Sequence, residues 1–347
     1  MGVNSQTQII VKVTQTKIGA RVSPVCPLCG ASQARALFAQ RGYSLMACGV
    51  CELFFIDPYP RDTDRHHEVV ATHAYEDFQL LETAKHYEYE VNFYRKYFEL
   101  IQQECVQATS ILDVGCGCGH LLERLAVRPD LYRAGVELNR QRAAQARRVA
   151  HCEVFDIPIE DFPATRRFDV ITLINVFSHI PGIDRLFEKL RSLLNDNGKI
   201  ILRTGEIRKD VRKSAIFDWE IPDHLQFLGL NTLEFLAQKH GFEIQLRRRT
   251  ALSKELFAPG TWRMKGRSVV RNRIKSMVAR ISFALPLMEQ VYELIHRSSV
   301  FSSFIVLRVA NSLPRLHESE VESAASQAIS LVNSDGRSRT RSTGFGN

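Results

Sequence analysis

Two stretches of the chain combine side chains and spacings that could do chemistry. The first is CPLCG at 26–30, followed after an eighteen-residue gap by CGVC at 48–51. Each C-x-x-C sets two thiolates on one tight turn. The gap reads as a hairpin, RALFA and YSLMA around the turn QRG, which would fold the two turns together. Cys26, Cys29, Cys48 and Cys51 are therefore expected to ligate one Zn2+. Four thiolates close a tetrahedral coordination sphere and leave no position for water, so this metal would be structural. Four unrelated buried cysteines are the alternative, and the doubled spacing argues against it.

The second stretch is LDVGCGCGHL, residues 112–121, with Asp113 at the end of an apolar run and Gly115, Gly117 and Gly119 at alternate positions. SILDV (110–114) predicts a strand and HLLERLA a helix. Strand, glycine loop and helix N-terminus form a place where backbone N–H groups meet a charged or nucleotide-like ligand. A dinucleotide fingerprint needs Gly or Ala three positions after Gly117, where this chain has His120. Cys116 and Cys118 point different ways with no second ligand pair nearby, and are expected to be small loop fillers.

An acid at the strand end and glycine at every second position resemble the cofactor loop of class I S-adenosylmethionine-dependent methyltransferases. The resemblance continues through AGVELN (134–139), CEVFDIPIEDF (152–162), FDVITLINVFSHI (168–180) and LFEKLRSLLNDNGKIILRT (186–204). It implies that Asp113, Gly115, Gly117, Gly119, Glu137, Asp156, Ile157 and Asn175 bind the cofactor. Glu137 would take the ribose hydroxyls, and Asp156 with Ile157 the adenine edge, with Asp161 a competing assignment. The order of a four-cysteine ribbon, an aromatic-rich helical segment, this core and then PDHLQFLGLNTLEFLAQKHGF resembles bacterial methyltransferases of sugar and polysaccharide pathways. Members that methylate a sugar carbon place Glu-His after the fourth strand. Here the pair is Ser178-His179, which favours a hydroxyl acceptor, expected to be of sugar type, over C-methylation. His179 and His224 are the candidate bases, because an imidazole titrates near neutrality. An RNA-base methyltransferase is the other rival. Its acceptor loop would carry an Asn/Asp-Pro-Pro-Tyr-like segment where this chain has INVF, so nucleic acid is not the expected partner.

These residues need an α/β scaffold. Strands alternating with helices predict a doubly wound, mostly parallel sheet with an antiparallel last strand, SSFIVLRVA at 302–310. NTLEFLAQKHG (231–241) reads as a helix with Asn231 as N-cap, Glu234 three residues on and Gly241 as its stop. The expected division is an arm and zinc ribbon (1–60), a helical connection (61–105), a core (106–312) with a helical insertion (251–300), and a flexible tail (313–347).

The chain has 347 residues, 45% of them hydrophobic, and a net charge of +8. It shows no signal-peptide pattern at its start and no apolar run of membrane-spanning length, so it reads as cytoplasmic. Arg263, Lys265, Arg267, Arg271, Arg273, Lys275 and Arg280 form a run without an acid, and apolar residues recur at helical spacing from Val270 to Met288. Residues 263–288 therefore read either as a helix lying on an anionic membrane surface or as a helix packed on the core.

Overall fold

The computed structural model describes residues 24–60, 97–208, 221–251, 284–296 and 300–310. The histidines at 66, 67 and 73, Tyr75 and the basic run 263–280 lie outside them.

The apolar run 110–114 forms β4 (Ser110–Val114), buried along its whole length. That is the signature of a central parallel strand covered on both faces. Beside it lie β5 (Tyr132–Val136), β6 (Glu153–Phe155) and β7 (Phe168–Ile174), then β8 (Leu194–Ile207), β11 (Val300–Val309) and β10 (Phe242–Ala251). The seven-stranded order is β10-β11-β8-β7-β4-β5-β6, parallel from β8 to β6, with β11 and β10 antiparallel. The expected sheet with its antiparallel insertion is present. Strand order reverses at β4, and in such sheets ligands bind beyond the carboxyl ends of the strands at that point.

Helices α1 (His120–Arg124), α2 (Arg140–Ala150), α3 (Ile183–Ser192) and α4 (Thr232–His240) flank the sheet, and α5 (Ala284–His296) precedes β11. Helix α2 begins where the Asn139 side chain accepts from the N–H groups of Gln141 and Arg142, both at 3.0 Å. It buries Ala143, Ala146 and Ala150, and these small residues let α1 come close.

Two sequence expectations are corrected here. Asn231 makes no side-chain cap. Thr232 ties the start of α4 instead, its Oγ1 accepting from Gly229 N–H and donating to the Cys51 carbonyl, each at 2.9 Å. The Asn197–Gly198 turn is not a free connection but part of β8, where the register against β7 slips between Phe168 and Val170. Asn195 donates from there to Asp169 at 2.6 Å, fixing the bulge to the sheet.

The RALFA/YSLMA hairpin is observed as β1 (Ala34–Gln40) and β2 (Tyr43–Cys48), antiparallel, and β3 (Phe54–Asp57) extends it. A fourth strand comes from far along the chain: β9 (Gln226–Phe227), which pairs Phe54 with Phe227 and Phe55 with Gln226. Cys26, Leu28, Met46 and Phe55 join the same apolar cluster as Leu112, Val136 and Leu202. The small sheet and the large one therefore share a core. Their contact is tight at Gly229, where any Cβ would overlap the Glu52 carbonyl oxygen.

Candidate active site

Asp113 ends β4 as a fully buried carboxylate, and Thr172 Oγ1 on neighbouring β7 donates to its Oδ1 at 2.6 Å. Burial pushes the Asp113 pKa up to about 7; the Thr172 hydroxyl pulls it down, and the nearby Glu137 raises it. Glu137, just past β5, is held by backbone. Its Oε2 accepts from Gly117 N–H and its Oε1 from Asn139 N–H, both at 2.9 Å. Each oxygen keeps a second lone pair for a hydroxyl.

The three glycines have different duties. A Cβ on Gly115 would lie 2.5 Å from Val176 Cγ2, and one on Gly119 would lie 2.8 Å from the Ala146 Cα. These two permit close packing. Gly117, at φ +57°, faces open space within 4 Å, so it borders the volume a ligand would fill. Cys116 and Cys118 are buried, in keeping with filler roles.

The Gly115–Val176 contact joins this loop to the turn after β7, where Phe177–His179 form one 3-10 turn. His179 Nδ1 lies 3.0 Å from the Asp223 carbonyl oxygen and 3.5 Å from its carboxylate Oδ1, both acceptors, so Nδ1 carries a proton. His224 Nδ1 lies 2.8 Å from Ser178 Oγ. The two imidazoles are 4.4 Å apart between ring centroids. The structure thus brings together two histidines that are 45 positions apart in the chain, and His179 N–H donates to the carbonyl of Val176, the residue packed on Gly115, at 2.9 Å.

Other expected site residues are placed differently. Asn175 takes a left-handed backbone conformation, φ +62°, and its Oδ1 accepts from Arg203. Asp156 is half-exposed and pairs with Arg147 at 3.1 Å and Arg140 at 3.9 Å. Ile157 is half-buried beside it, and the competing Asp161 is exposed. Tyr97, the last of the tyrosines in the connecting segment, is buried against Phe304 with its hydroxyl 3.2 Å from Ser302 Oγ. Thr172 and Asp223 escaped the sequence reading. Thr172 becomes visible only once β4 and β7 are known to be neighbours with Asp113 opposite Thr172.

The four ribbon cysteines converge. Cys26 and Cys51 Sγ are 3.5 Å apart, as are Cys29 and Cys48 Sγ, and all four sulfurs lie within 4.8 Å of one another. Tetrahedral zinc at about 2.3 Å from each sulfur requires sulfurs roughly 3.8 Å apart. The donor set fits that ion.

A family profile described as "Methyltransferase domain" matches residues 83–246. That segment, a little under half of the chain, is similar to methyltransferase domains. Ubiquinone biosynthesis O-methyltransferase of Coxiella burnetii (strain RSA 493 / Nine Mile phase I) is 30% identical over 115 residues, 31% of this chain and 48% of that protein. The protein of that name from Neisseria meningitidis serogroup C is 29% identical over 102 residues, 27% of this chain and 43% of its own length. The chain thus spans about half the length, or less, of these curated relatives. Among solved structures, an O-methyltransferase from a Brevibacillus brevis trans-AT polyketide synthase, in complex with S-adenosyl-L-homocysteine, aligns with TM-score 0.44 and 16% identity. That alignment covers 70% of this chain and 82% of the other.

The buried carboxylate of Asp113 has a measurable consequence. Because the folded pKa of Asp113 lies above its unfolded value of 3.8, its contribution to stability is intact below about pH 4 and is lost as pH rises through about 7. Asp113→Asn removes the ionisation and retains an acceptor for Thr172. Urea unfolding should show the variant more stable than wild type at pH 8.5, by an amount on the order of a few kcal/mol, with the gap narrowing below pH 7 and closing by about pH 4. Parallel stability curves across that range would contradict the raised pKa.

Proposed function

We propose that this chain is an S-adenosylmethionine-dependent O-methyltransferase acting on a small-molecule or glycan hydroxyl. The observation that carries the reading is the histidine pair, 4.4 Å apart, on the turn that packs against the glycine loop through Val176. Asp113, Gly117 and Glu137 would hold the cofactor: a buried carboxylate for its cationic end, bare backbone beside it, and paired acceptor oxygens for ribose. When bound, S-adenosylmethionine supplies a methyl group on a positively charged sulfur, which departs as a neutral thioether. The protein's own part is to orient the acceptor oxygen, exclude water and receive the hydroxyl proton at His179 Nε2 as the oxygen–methyl bond forms. His224, bonded to Ser178, would orient the acceptor or pass the proton on.

Relatives named O-methyltransferases favour oxygen as the acceptor atom. The sugar-pathway resemblance makes nucleotide sugars and glycolipid precursors the first acceptors to screen. Calorimetry with S-adenosylhomocysteine tests the cofactor site directly. Asp113→Ala and Glu137→Ala should each weaken binding roughly tenfold to a hundredfold, since a hydrogen bond to a charged group contributes about 1.5–3 kcal/mol. Unchanged affinity in both variants, with circular dichroism confirming the fold, would remove the assignment.

The ribbon's role in this reading is structural, with Cys26, Cys29, Cys48 and Cys51 binding one Zn2+. Metal analysis should find one zinc per chain. Cys26→Ser or Cys51→Ser should release it and unfold the ribbon, since structural zinc in small modules contributes about 10–16 kcal/mol. A zinc-free preparation with unchanged melting would overturn this role.

A membrane-proximal acceptor is part of the same proposal. Among the described residues no helix is long and apolar enough to cross a membrane. The basic run from Arg263 to Arg280 is followed in the chain by α5, which exposes Leu287, Val291 and Leu294 along one face. Basic residues near an anionic surface contribute about 1 kcal/mol each. Wild type should pellet with anionic but not neutral vesicles, and an Arg271/Lys275/Arg280→Glu triple variant should stay in solution. Equal partitioning of the two proteins would make the acceptor a soluble molecule.

A further inference from the structure

The histidine turn is tied to the ribbon through one side chain. Gln226 is fully buried, and all its amide groups are engaged. Its Nε2 donates to the Phe177 carbonyl at 2.9 Å and to the Ile180 carbonyl at 2.8 Å, the two residues that bracket Ser178 and His179. Its Oε1 accepts from the hydroxyl of Tyr59, which lies just beyond β3 at the exit of the ribbon. Backbone bonds run the same way. Ile56 N–H on β3 donates to the Leu225 carbonyl at 3.0 Å, and Leu225 N–H donates to the Ser178 carbonyl at 2.7 Å. His224 sits between these anchors and Asp223, which holds His179.

We infer that Gln226 and Tyr59 are positioning residues for the histidine pair, so that the ribbon, rather than the methyltransferase sheet alone, sets the 4.4 Å spacing of the two imidazoles. The inference rests on the proposed base role of His179 and His224 for its importance, but its geometry stands apart from that role. Three requirements follow from the chemistry of the bridge. A side chain at 226 must donate twice and accept once, which a neutral carboxamide does and a carboxylate cannot. It must be dry, because water competing for the Phe177 and Ile180 carbonyls would free the turn. Its acceptor must be met from the ribbon, or a buried oxygen would be left without a donor. Tyr59 meets that last requirement from a segment 167 residues away in sequence.

The test reads the imidazoles directly. In carbon–proton correlation spectra of uniformly labelled protein, the His179 and His224 ring signals are assigned by His179→Gln and His224→Gln. Tyr59→Phe and Gln226→Leu should shift both signals, because the rings lose their fixed mutual orientation, while S-adenosylhomocysteine affinity stays within about twofold of wild type. With the first accepted hydroxyl substrate, kcat should fall roughly tenfold to a hundredfold with KM little changed, the effect of misplacing a reacting group. Ring signals unmoved in both variants would overturn the inference. Tyr59→Phe removes a single oxygen, so it decides the matter alone if Gln226→Leu does not fold. Failure of wild type to bind S-adenosylhomocysteine would remove the proposed activity and leave the ring-signal result to judge the positioning.

Discussion

The pairing of Phe54 and Phe55 on β3 with Phe227 and Gln226 on β9 is the joint on which the rest of the structure depends. Two residues of strand would be worth little alone. They hold because the surroundings are apolar and dry: Phe54, Ile56, Ile207, Ile221 and Phe227 form one cluster across the joint. Lys239 reaches back to the Leu28 carbonyl at 2.8 Å and Thr232 to that of Cys51, so both cysteine turns are also bonded to α4 or its start. A folded ribbon is therefore a precondition for the segment from Ile221 to Gly229, and that segment carries His224 and Asp223. Any event that loosens the four-cysteine cluster would reach the histidine turn through this joint before it reached the parallel sheet.

The electrostatics of the site divide between two acids that differ in how they are solvated. Asp113 is surrounded by sheet and gains one strong hydrogen bond, too little to offset burial, so the chain holds it near half-ionised at neutral pH. Glu137, also buried, has two backbone donors supplied by the glycine loop and by the start of α2. The loop and Glu137 thus fix each other's position. A cationic group placed against Asp113 would pull it into its charged form and recover the desolvation cost, which gives a site of this kind selectivity for a cation over a neutral isostere.

The parts of this fold legible in the sequence are those decided locally. β4, the glycine loop, the hairpin of the ribbon and Glu137 at a strand end all follow from spacing and alternation within about ten residues. What stayed hidden depends on strand order. Thr172 faces Asp113 because β7 lies beside β4, and Gln226 meets Tyr59 because β9 joins a sheet whose other strands end at residue 57. Asn231 occupies the expected N-cap position but makes no side-chain cap, and Thr232 ties the helix start to the ribbon through the Cys51 carbonyl. Asn175, a side chain expected to face a ligand, is turned toward Arg203 on the adjacent strand.

Serine at 178 gives the histidine pair its particular chemistry. A carboxylate at that position would hold a neighbouring imidazole in its charged form and fix one tautomer. A hydroxyl is neutral and can donate or accept, so Ser178 does not by itself fix the tautomer of His224. His179 Nδ1 has less freedom, because the Asp223 carbonyl and carboxylate beside it can only accept. The two rings, so differently held, lie 4.4 Å apart. That arrangement suits deprotonation of a hydroxyl, where a proton must be taken up and then released to solvent between turnovers. On the proposed reading a hydroxyl acceptor fits such a pair, since its proton can pass to an imidazole as the methyl arrives, and the Asp223 carboxylate 3.5 Å from His179 Nδ1 would steady the charge the ring then carries.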